Sequence, residues 1–455
     1  MRPLLLKAGR VVDPASGIDA ASDVLVVDGK IEAVDRPGSL RGGDGAAVID
    51  ATGWWVLPGL IDPHVHLRDP GFPQKETIAS GLRAAAAGGF TTVAAMANTS
   101  PVNDTREITR YMLERAAEAR STRLVPVSAV TRGLSGAETV DYAAMAAAGA
   151  RLFSDDGIPV DDAAVLSRAM DEINQLGFAI SLHEEERSLS DEGAVNAGAV
   201  AERLGVHGYS GPAESERVRR DLSLAIGTEA AVHIAHVSTR ESVELVAAAR
   251  KRGARVTCEV TPHHFALDES AALRWGPNAK MNPPLRSRDD VDALRDAIGH
   301  GGIDMIATDH APHDPASKRL DALAGYFNPA RDAERLAPDV AAIFAQSANG
   351  VVGLETALGL ALGLVHCGLI GAGRLVELMS VNPAALLRLE AGTLAVEAPA
   401  DITVVDPNLE WTVEPERFLS RSRNTPFAGM RLKGRAVMTI VGGEIVFDGR
   451  RGELR

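Results

Sequence analysis

In the stretch GLIDPHVHLRDPG, residues 59–71, two histidines alternate with apolar residues at the end of a strand-like segment. Side chains at positions i and i+2 of a strand point to the same face, so His64 and His66 can bind one metal ion from a rigid base. Arg68 continues this alternation as the strand gives way to a Pro/Gly loop, which places a fixed cation beside the metal. A metal ion and a guanidinium side by side suit a substrate that carries a carboxylate.

The chain of 455 residues is long enough for one large barrel, about 250 residues or more, and a smaller accessory domain. Its content of 45% apolar and 24% charged residues is typical of a soluble globular protein. No apolar stretch approaches the roughly 20 residues that span a bilayer, so we expect no membrane insertion. The apolar run within residues 1–7 is too short for a secretory signal, and we expect a cytoplasmic protein.

Cys258 and Cys367 are the only cysteines, so neither a disulfide framework nor a thiolate metal cage is expected. A metal site must therefore use nitrogen and oxygen ligands. The net charge of −14 repels a phosphate backbone and argues against nucleic acid as a partner. An anionic small-molecule substrate then needs a local basic group, and Arg68 is the first candidate.

The central part of the chain alternates apolar strand-like segments with Ala/Leu-rich helical segments, which is typical of βα units and a parallel sheet. Helical patterns lie between most of the strands, at 77–87, 106–119, 163–176, 214–226 and 241–252. The strand candidates number eight, as a closed (β/α)8 barrel requires: 59–67, 91–97, 123–130, 150–154, 179–183, 231–237, 255–260 and 304–308. The sequence therefore predicts an α/β fold with a TIM-type barrel over residues 59–387.

Both ends of the chain read as short strands and turns, with β-rich pieces at 4–12, 23–27, 30–34, 47–49, 401–406 and 437–446. Neither end has enough strands for its own core, because an isolated small sheet is marginal in water. We therefore predict that residues 1–58 and 388–455 form one composite β-sandwich domain.

One segment departs from the βα pattern. Residues 315–349, after the last strand candidate, form a weakly patterned insertion rich in charged residues and alanine. Long loops that follow a barrel strand commonly form lids, and we expect a lid-like insertion here.

Polar residues that are unusual in apolar strands collect at the C-terminal ends of the strand candidates. Active sites of barrels are found at these ends. The residues are His64, His66, Arg68, Asn98, the segment 154–157, His183, His236, the segment 261–264 and the segment 308–313.

With these residues in this order, the chain resembles the type I dihydroorotases of the amidohydrolase superfamily. An ordered set of motifs is far more specific than a single one. The motifs are HVHLRDPG (64–71), NT (98–99), SDDG (154–157), HE (183–184), HVS (236–238), CEVTPHH (258–264), KMNPPLR (280–286), DHAPH (309–313) and GLET (353–356).

The resemblance implies a zinc centre with one or two ions per subunit. Many relatives bridge two metals with a carbamylated lysine after the fourth strand, whereas this chain has no lysine there and type I dihydroorotases use an aspartate. The family spacing favours Asp156 as this bridging ligand, and Asp155 stays the alternative. The implied ligand set is His64, His66, Asp156, His183, His236 and Asp309.

The resemblance also implies the reaction, which is the reversible hydrolysis of dihydroorotate to N-carbamoyl-aspartate in pyrimidine biosynthesis. A metal ion can lower the pKa of bound water to about 7, which makes that water nucleophilic. Asp309 is then the base that takes the proton of the water and delivers it to the departing ring nitrogen. The implied substrate contacts are Arg68, Asn98 and His313 at the carboxylate, with His66, Asn282, Asn349 and Gly350.

Two other functions stay open. Hydantoinases and allantoinases are related cyclic amidohydrolases, but they usually carry the carbamylated lysine and lack the pair formed by Arg68 and Asn98. A catalytically silent homologue could act as a scaffold for aspartate transcarbamoylase, although such forms typically lose metal ligands. For this chain the resemblance implies a homodimer and allows a complex with aspartate transcarbamoylase.

Four further residues receive structural predictions, and three of them lie within these motifs. His233 lies three residues from His236, on the opposite face of the strand, and is expected to be buried and structural. Glu184 is the carboxylate expected to support the histidine before it. Lys280 and Arg286 are expected to anchor the loop between them through salt bridges.

Overall fold

The computed structural model describes residues 2–43, 45–450 and 453–454. Two large sheets organise these residues, and we call them the terminal sheet and the barrel sheet. Among the described residues, no helix is long and apolar enough to span a membrane.

The terminal sheet begins with the N-terminal part of the chain. Alternation of buried and exposed residues in these segments suits strands with one face on a core. The strands are β1 (Leu4–Asp13), β2 (Ile18–Val27), β3 (Lys30–Asp35), β4 (Ala47–Asp50) and β5 (Trp55–Pro58).

The barrel sheet confirms the eight parallel strands predicted from the sequence, although most are shorter than predicted. An isolated parallel bridge between Val65 and His310 brings the end of the barrel back to its first strand. The strands, with a small separate pair β11 and β12, are β6 (Leu60–Val65), β7 (Phe90–Ala95), β8 (Arg123–Ser128), β9 (Leu152–Phe153), β10 (Ala179–Leu182), β11 (Val195–Asn196), β12 (Gly208–Tyr209), β13 (Val232–Ile234), β14 (Val256–Val260) and β15 (Met305–Ile306).

Helices pack around the barrel sheet and between its strands. Most predicted helices agree with the structure to within two residues at each end. The helices are α1 (Ile78–Gly88), α2 (Arg106–Ala119), α3 (Tyr142–Ala148), α4 (Ala163–Gln175), α5 (Arg187–Ser190), α6 (Ala199–Leu204), α7 (Pro212–Thr228), α8 (Arg240–Lys251), α9 (Pro262–Ala266), α10 (Ala271–Trp275), α11 (Arg288–His300), α12 (Pro338–Ala345), α13 (Ala357–His366), α14 (Ala372–Val376) and α15 (Asn382–Leu386).

The C-terminal strands complete the terminal sheet. They are β16 (Ile402–Thr412), β17 (Arg431–Val441), β18 (Glu444–Asp448) and β19 (Glu453–Leu454). The order is β19-β18-β17-β16-β5-β1-β2-β3, with β4 beside β1, and β16 pairs antiparallel with β5. Both ends of the chain therefore share one sheet, which confirms the composite β domain, while its boundaries at residues 58 and 388 stay a prediction.

Helix α1 joins the two sheets through small residues. It begins after Thr77, whose side chain accepts a hydrogen bond from the Ser80 N–H, and it ends at Gly89, where φ is 95°. The Thr403 hydroxyl donates to Gly89 O at 2.6 Å, and the Thr439 hydroxyl donates to Ala86 O at 2.6 Å. Larger side chains on this face of α1 would keep β16 and β17 away from the barrel.

The insertion at 315–349 consists of turns followed by α12. Its apolar residues Leu336 and Phe344 pack with Leu204 of α6 and Leu273 of α10 in a separate hydrophobic cluster. The insertion is therefore a packed element at the rim of the barrel, and movement as a lid stays a prediction.

Candidate metal centre

Four histidines and two aspartates meet at the C-terminal end of the barrel sheet. This is the rim at which the ends of all the parallel strands come together. The fold therefore brings together all six residues that the resemblance implies as ligands. Each is at most 6% exposed: His64 on β6, His66 directly after it, Asp156 after β9, His183 after β10, His236 after β13 and Asp309 after β15.

Asp156 lies at the middle of this cluster. Its Oδ1 is 3.3 Å from His64 Nε2, and its Oδ2 is 3.5 Å from His66 Nε2. The same Oδ1 is 3.5 Å from His236 Nε2 and 3.7 Å from His183 Nδ1. In each of the two triads that share Asp156, the candidate ligand atoms all lie within 4.8 Å of one another. A carboxylate shared by two triads can serve two metal ions.

Asp309 adds a second carboxylate to the first triad. Its Oδ1 lies 3.0 Å from His66 Nε2 and 3.7 Å from His64 Nε2. Burial raises the pKa of Asp309, but the hydrogen bond from His66 and the charge of His64 outweigh burial and hold that pKa well below its usual range. Asp309 is therefore an ionised carboxylate at neutral pH.

Unpaired buried atoms indicate that the cluster is suited to a cation. Within the described part of the chain, His64 Nε2 and Asp156 Oδ1 are buried and have no hydrogen-bond partner. Such an atom costs about 1–3 kcal/mol. Coordination to a metal ion would remove this cost, and imidazole nitrogens with carboxylate oxygens are ligands that zinc accepts. The residues present therefore fit one or two zinc ions.

Asp155 faces away from the histidines. Its Oδ1 accepts hydrogen bonds from the backbone N–H of Val130 at 2.7 Å and of Thr131 at 3.0 Å. The carboxylate thus holds the loop that follows β8, whereas the next residue, Asp156, points into the cluster. Of the two aspartates left open by the sequence, the geometry favours Asp156 as the bridging ligand.

Glu259, on β14, fixes His64 from inside the barrel. Its Oε1 accepts a hydrogen bond from His64 Nδ1 at 2.7 Å, and its Oε2 accepts one from His233 Nε2 at 3.0 Å. Burial raises the pKa of Glu259, yet the charge of His64 and the bond from His233 lower it to about 2. No role was predicted for Glu259 from the sequence, although a carboxylate inside an apolar strand is a visible signal. His233 has the buried structural role predicted for it.

Asn98 orients His66 in the same way. Its Oδ1 accepts a hydrogen bond from His66 Nδ1 at 2.9 Å, which leaves Nε2 of that ring towards Asp156 and Asp309. Its amide nitrogen donates to Asp156 Oδ2 at 3.4 Å. Asn98 was predicted only as a contact of the substrate carboxylate, and the structure adds this orienting role.

Glu185, rather than Glu184, supports His183. Glu185 Oε2 accepts hydrogen bonds from His183 Nε2 at 3.3 Å and from the Asn282 amide at 3.0 Å. Glu184 is buried beside Asp221 instead. The prediction for Glu184 is wrong because adjacent residues in an extended segment point to opposite sides.

Arg68 lies next to the metal cluster at the start of a loop. Its Nη2 donates to His313 Nε2 at 3.3 Å, and its Nε donates to Pro312 O at 3.4 Å. Burial lowers the pKa of Arg68 to about 10, so the guanidinium stays charged at neutral pH. Burial and the charge of Arg68 lower the pKa of His313 to about 2, so this ring is neutral and accepts the hydrogen bond.

A cavity of about 200 Å³ connects the metal cluster with Arg68. Every residue predicted to contact substrate lines it except His313, which lies behind Arg68. The lining residues are His66, Arg68, Asn98, Asp156, Gly157, His183, His236, Asn282, Asp309, Ala311, Asn349 and Gly350.

Three non-glycine residues of the cavity have left-handed backbone conformations. The φ angles are 59° for Arg68, 32° for His236 and 45° for Asp309. Such conformations cost about 1–3 kcal/mol for residues other than glycine and concentrate at functional sites. Their presence at three candidate site positions supports a functional role for this rim.

Lys280 anchors its loop differently from the prediction. Its Nζ donates to the backbone carbonyls of Ala345 at 2.8 Å and Ser347 at 2.5 Å. Lys280 forms no ion pair with another described residue, so the salt bridge predicted for it is wrong. Arg286 does form an ion pair, with Glu214 at 3.6 Å.

Lys318 holds the insertion to the same loop. Its buried Nζ donates to the backbone carbonyls of Pro277 at 2.7 Å, Lys280 at 3.1 Å and Ala348 at 2.8 Å. Asn349 and Gly350 follow directly in sequence and reach the cavity. A single lysine side chain therefore connects the end of the insertion to the wall of the site.

Comparison with known sequences relates the chain to one family. The profile of the Dihydro-orotase-like family matches residues 53–242. The chain is 46% identical over 444 residues to the dihydroorotase of Syntrophotalea carbinolica, which covers 98% of this chain and 99% of that protein. It is 45% identical over 451 residues to the dihydroorotase of Anaeromyxobacter dehalogenans strain 2CP-1, with 98% of each chain covered.

Solved structures share the complete architecture. The L-hydantoinase (dihydropyrimidinase) from Arthrobacter aurescens superposes with a TM-score of 0.86 at 27% identity, covering 100% of this chain and 98% of that one. The D-hydantoinase (dihydropyrimidinase) from Thermus sp. superposes with a TM-score of 0.80 at 26% identity, covering 99% and 96% of the two chains.

Proposed function

Because the chain belongs to the dihydroorotase family, we propose that its rim cavity hydrolyses the cyclic amide of (S)-dihydroorotate reversibly to N-carbamoyl-L-aspartate. The chain is thus an enzyme, a cyclic amidohydrolase of pyrimidine biosynthesis. One observation carries the assignment of the site: the partly buried guanidinium of Arg68 and the ionised carboxylate of Asp309 line the same small cavity. The first suits an anionic substrate, and the second suits proton transfer.

The metal cluster and Asp309 divide the chemistry between them. His64, His66, Asp156, His183 and His236 would hold zinc, with Asp309 beside them. When bound, zinc polarises the amide carbonyl and lowers the pKa of water to about 7. Asp309 accepts the proton of the attacking water and returns it to the ring nitrogen that departs. Asp309 is ionised at neutral pH, so it is able to accept that proton.

The opposite end of the cavity binds the substrate carboxylate. Arg68 supplies a charged donor, and the His313 ring behind it keeps the guanidinium in place through the bond at 3.3 Å. Asn98 presents its amide from the neighbouring strand end. Asn282, in the loop that begins at Lys280, would contact the ring of the substrate. Asn349 and Gly350, at the end of the insertion that Lys318 anchors, would contact the same ring.

The finer features of the proposal follow the type I dihydroorotases that the sequence resembles. These features are zinc as the metal, a homodimer in the cytoplasm, and the ability to assemble with aspartate transcarbamoylase. Among these features the structure supports the metal site, since Asp156 belongs to both candidate triads as the resemblance predicts for a bridging aspartate.

A hydantoinase activity is the second candidate, since hydantoinases share the fold at TM-scores of 0.80 and 0.86. A hydantoin ring carries no carboxylate, so such a substrate would give the partly buried guanidinium of Arg68 no anionic partner of its own. A silent scaffold is a weaker candidate because all candidate ligands are present and converge.

The test is an assay of purified protein whose zinc content has been measured. Dihydroorotate, hydantoin and allantoin are offered in parallel, and zinc is then stripped with a chelator and restored. We expect turnover of dihydroorotate alone, lost on stripping and recovered with zinc. Turnover of hydantoin or allantoin without dihydroorotate would show that the substrate assignment is wrong.

A further inference from the structure

A segment between β16 and β17 of the terminal sheet reaches the rim of the barrel. Residues 418–427, which we call the rim segment, precede β17 and are largely buried against the barrel. Ser422, for example, donates from its hydroxyl to Lys75 O at 2.7 Å. The rim segment therefore brings side chains from outside the barrel close to the candidate active site.

Asn424 of the rim segment uses both ends of its amide at the wall of the cavity. Its Oδ1 accepts a hydrogen bond from the His313 N–H at 3.0 Å. Its Nδ2 donates to Ala311 O and to Gly350 O, both at 3.0 Å. Its own backbone carbonyl accepts a hydrogen bond from the Val352 N–H at 2.9 Å. One buried side chain thus ties two rim loops together.

These two loops form one side of the substrate cavity. Ala311 and Gly350 line the cavity directly, and His313 holds Arg68 from behind. The loops are in close contact, because a Cβ on Gly350, where φ is 125°, would lie 2.5 Å from the Cβ of Ala311. A small change in their separation therefore moves the groups that face the substrate carboxylate.

We propose that Asn424 is a positioning residue for the substrate carboxylate. It sets the separation of the loop at 311–313 and the loop at 349–350, and so places Arg68 and His313 for the anion. The inference rests on the proposed function, because it names the part of that site on which Asn424 acts. Asn424 does not line the cavity, and among the described residues its hydrogen bonds do not reach a candidate metal ligand.

The metal cluster is held by other contacts. The His66 N–H donates to His310 O at 2.8 Å, and Glu259 holds His64 at 2.7 Å. None of these bonds involves the rim segment. Loss of the Asn424 amide should therefore weaken substrate binding while zinc binding and the chemical step are preserved.

Two variants and one control test this inference. Asn424→Asp keeps the acceptor for the His313 N–H but places a carboxylate against two carbonyl oxygens, and Asn424→Ser removes most of the amide. The control is Ser422→Ala, which removes a buried hydrogen bond of the same segment that does not reach the cavity. For each protein, KM and kcat for dihydroorotate, zinc content and the thermal midpoint are measured.

We expect KM to rise about tenfold in both Asn424 variants, since a hydrogen bond contributes roughly 0.5–1.5 kcal/mol and more than one is lost. We expect kcat and zinc content to stay near the wild-type values, and Ser422→Ala to leave KM unchanged. An unchanged KM in both folded Asn424 variants, or a loss of kcat and zinc with KM preserved, would overturn the inference. A wild-type protein that does not hydrolyse dihydroorotate would overturn the proposed function instead.

Discussion

The carboxylate of Glu259 lies 2.7 Å from His64 Nδ1, on the side of the ring opposite to Asp156. Glu259 and His64 are each at most 1% exposed, and the second oxygen of Glu259 accepts a hydrogen bond from His233. A carboxylate that accepts a hydrogen bond from the Nδ1–H group leaves Nε2 free as a ligand and fixes the plane of the ring. The affinity of the centre for metal should therefore depend on a residue that is not a ligand.

Glu259→Gln tests this relationship. A glutamine can accept a hydrogen bond from only one of the two histidines, so we expect zinc affinity to fall by about 10–100-fold. Competition with a chromophoric zinc chelator measures the affinity without any assay of turnover. The exposed Glu244→Gln is the control, and equal affinities in the two variants would contradict the role of Glu259.

Asp309→Asn separates proton transfer from metal binding. The amide cannot take a proton from water, and general acid–base catalysis typically contributes about 10²–10⁴-fold, so we expect kcat to fall by that factor. Zinc content should stay near the wild-type level because the two triads that share Asp156 remain. Elemental analysis and steady-state kinetics provide the measurements, with the exposed Asp321→Asn as the control. Wild-type kcat in Asp309→Asn would refute its role as the base.

Arg68→Met tests the anionic-substrate end of the cavity. Methionine fills part of the space but cannot donate to a carboxylate, and we expect KM for dihydroorotate to rise about 100-fold, the equivalent of roughly 3 kcal/mol. The exposed Arg110→Met should behave like the wild type. If KM in Arg68→Met stays within about threefold of the wild-type value, less than roughly 1 kcal/mol, the substrate carboxylate binds elsewhere.

His313 should make stability depend on pH. Burial, followed by the charge of Arg68, lowers its pKa to about 2, whereas the unfolded chain keeps the ordinary value of about 6.5. Between these values the unfolded state binds more protons, so stability is lost as pH falls below about 6.5. The loss amounts to at most ~1.4 kcal/mol per pH unit.

His313→Gln removes this titration. Urea unfolding at pH 6.5 and pH 5 should show that the wild type loses about 2 kcal/mol more than the variant over that interval. The exposed His207→Gln serves as the control and should follow the wild type. Parallel losses in wild type and His313→Gln would mean that His313 is protonated in the folded protein.

Lys318→Met tests the attachment of the insertion. The variant leaves three backbone carbonyls without their shared donor, so the insertion should open more often. We expect limited proteolysis within residues 319–337 to become about tenfold faster, the equivalent of ~1.4 kcal/mol in local opening. The control is Arg331→Met, an exposed position in the same insertion, which should be cut at the wild-type rate. Equal rates of proteolysis in Lys318→Met and Arg331→Met would contradict the anchoring role.

The local pattern of apolar and polar residues was sufficient to predict the architecture. The alternation of apolar strands and helices predicted all eight barrel strands, and the β-rich ends predicted the composite sheet. Hydrophobic periodicity is a local property, so a sequence records it directly. The insertion at 315–349 carries no such periodicity, and its packing against α6 and α10 could not be predicted.

The candidate ligands were also visible in the sequence, because polar residues at the ends of apolar strands stand out and the ends of barrel strands meet at one rim. The choice between neighbouring residues was not visible. Asp156 rather than Asp155 faces the histidines, and Glu185 rather than Glu184 supports His183. A change of one position reverses the direction of a side chain, and the twist of each strand end decides which one points inward.

Contacts between distant segments depended wholly on the tertiary structure. Asn424 and His313 are 111 residues apart in sequence, and Glu259 and His64 are 195 apart, yet each pair shares a hydrogen bond. Such partners are chosen by the need to satisfy buried polar groups once the chain is packed. Local motifs therefore predicted the candidate reacting groups, whereas burial in the folded barrel selected the groups that hold them in place.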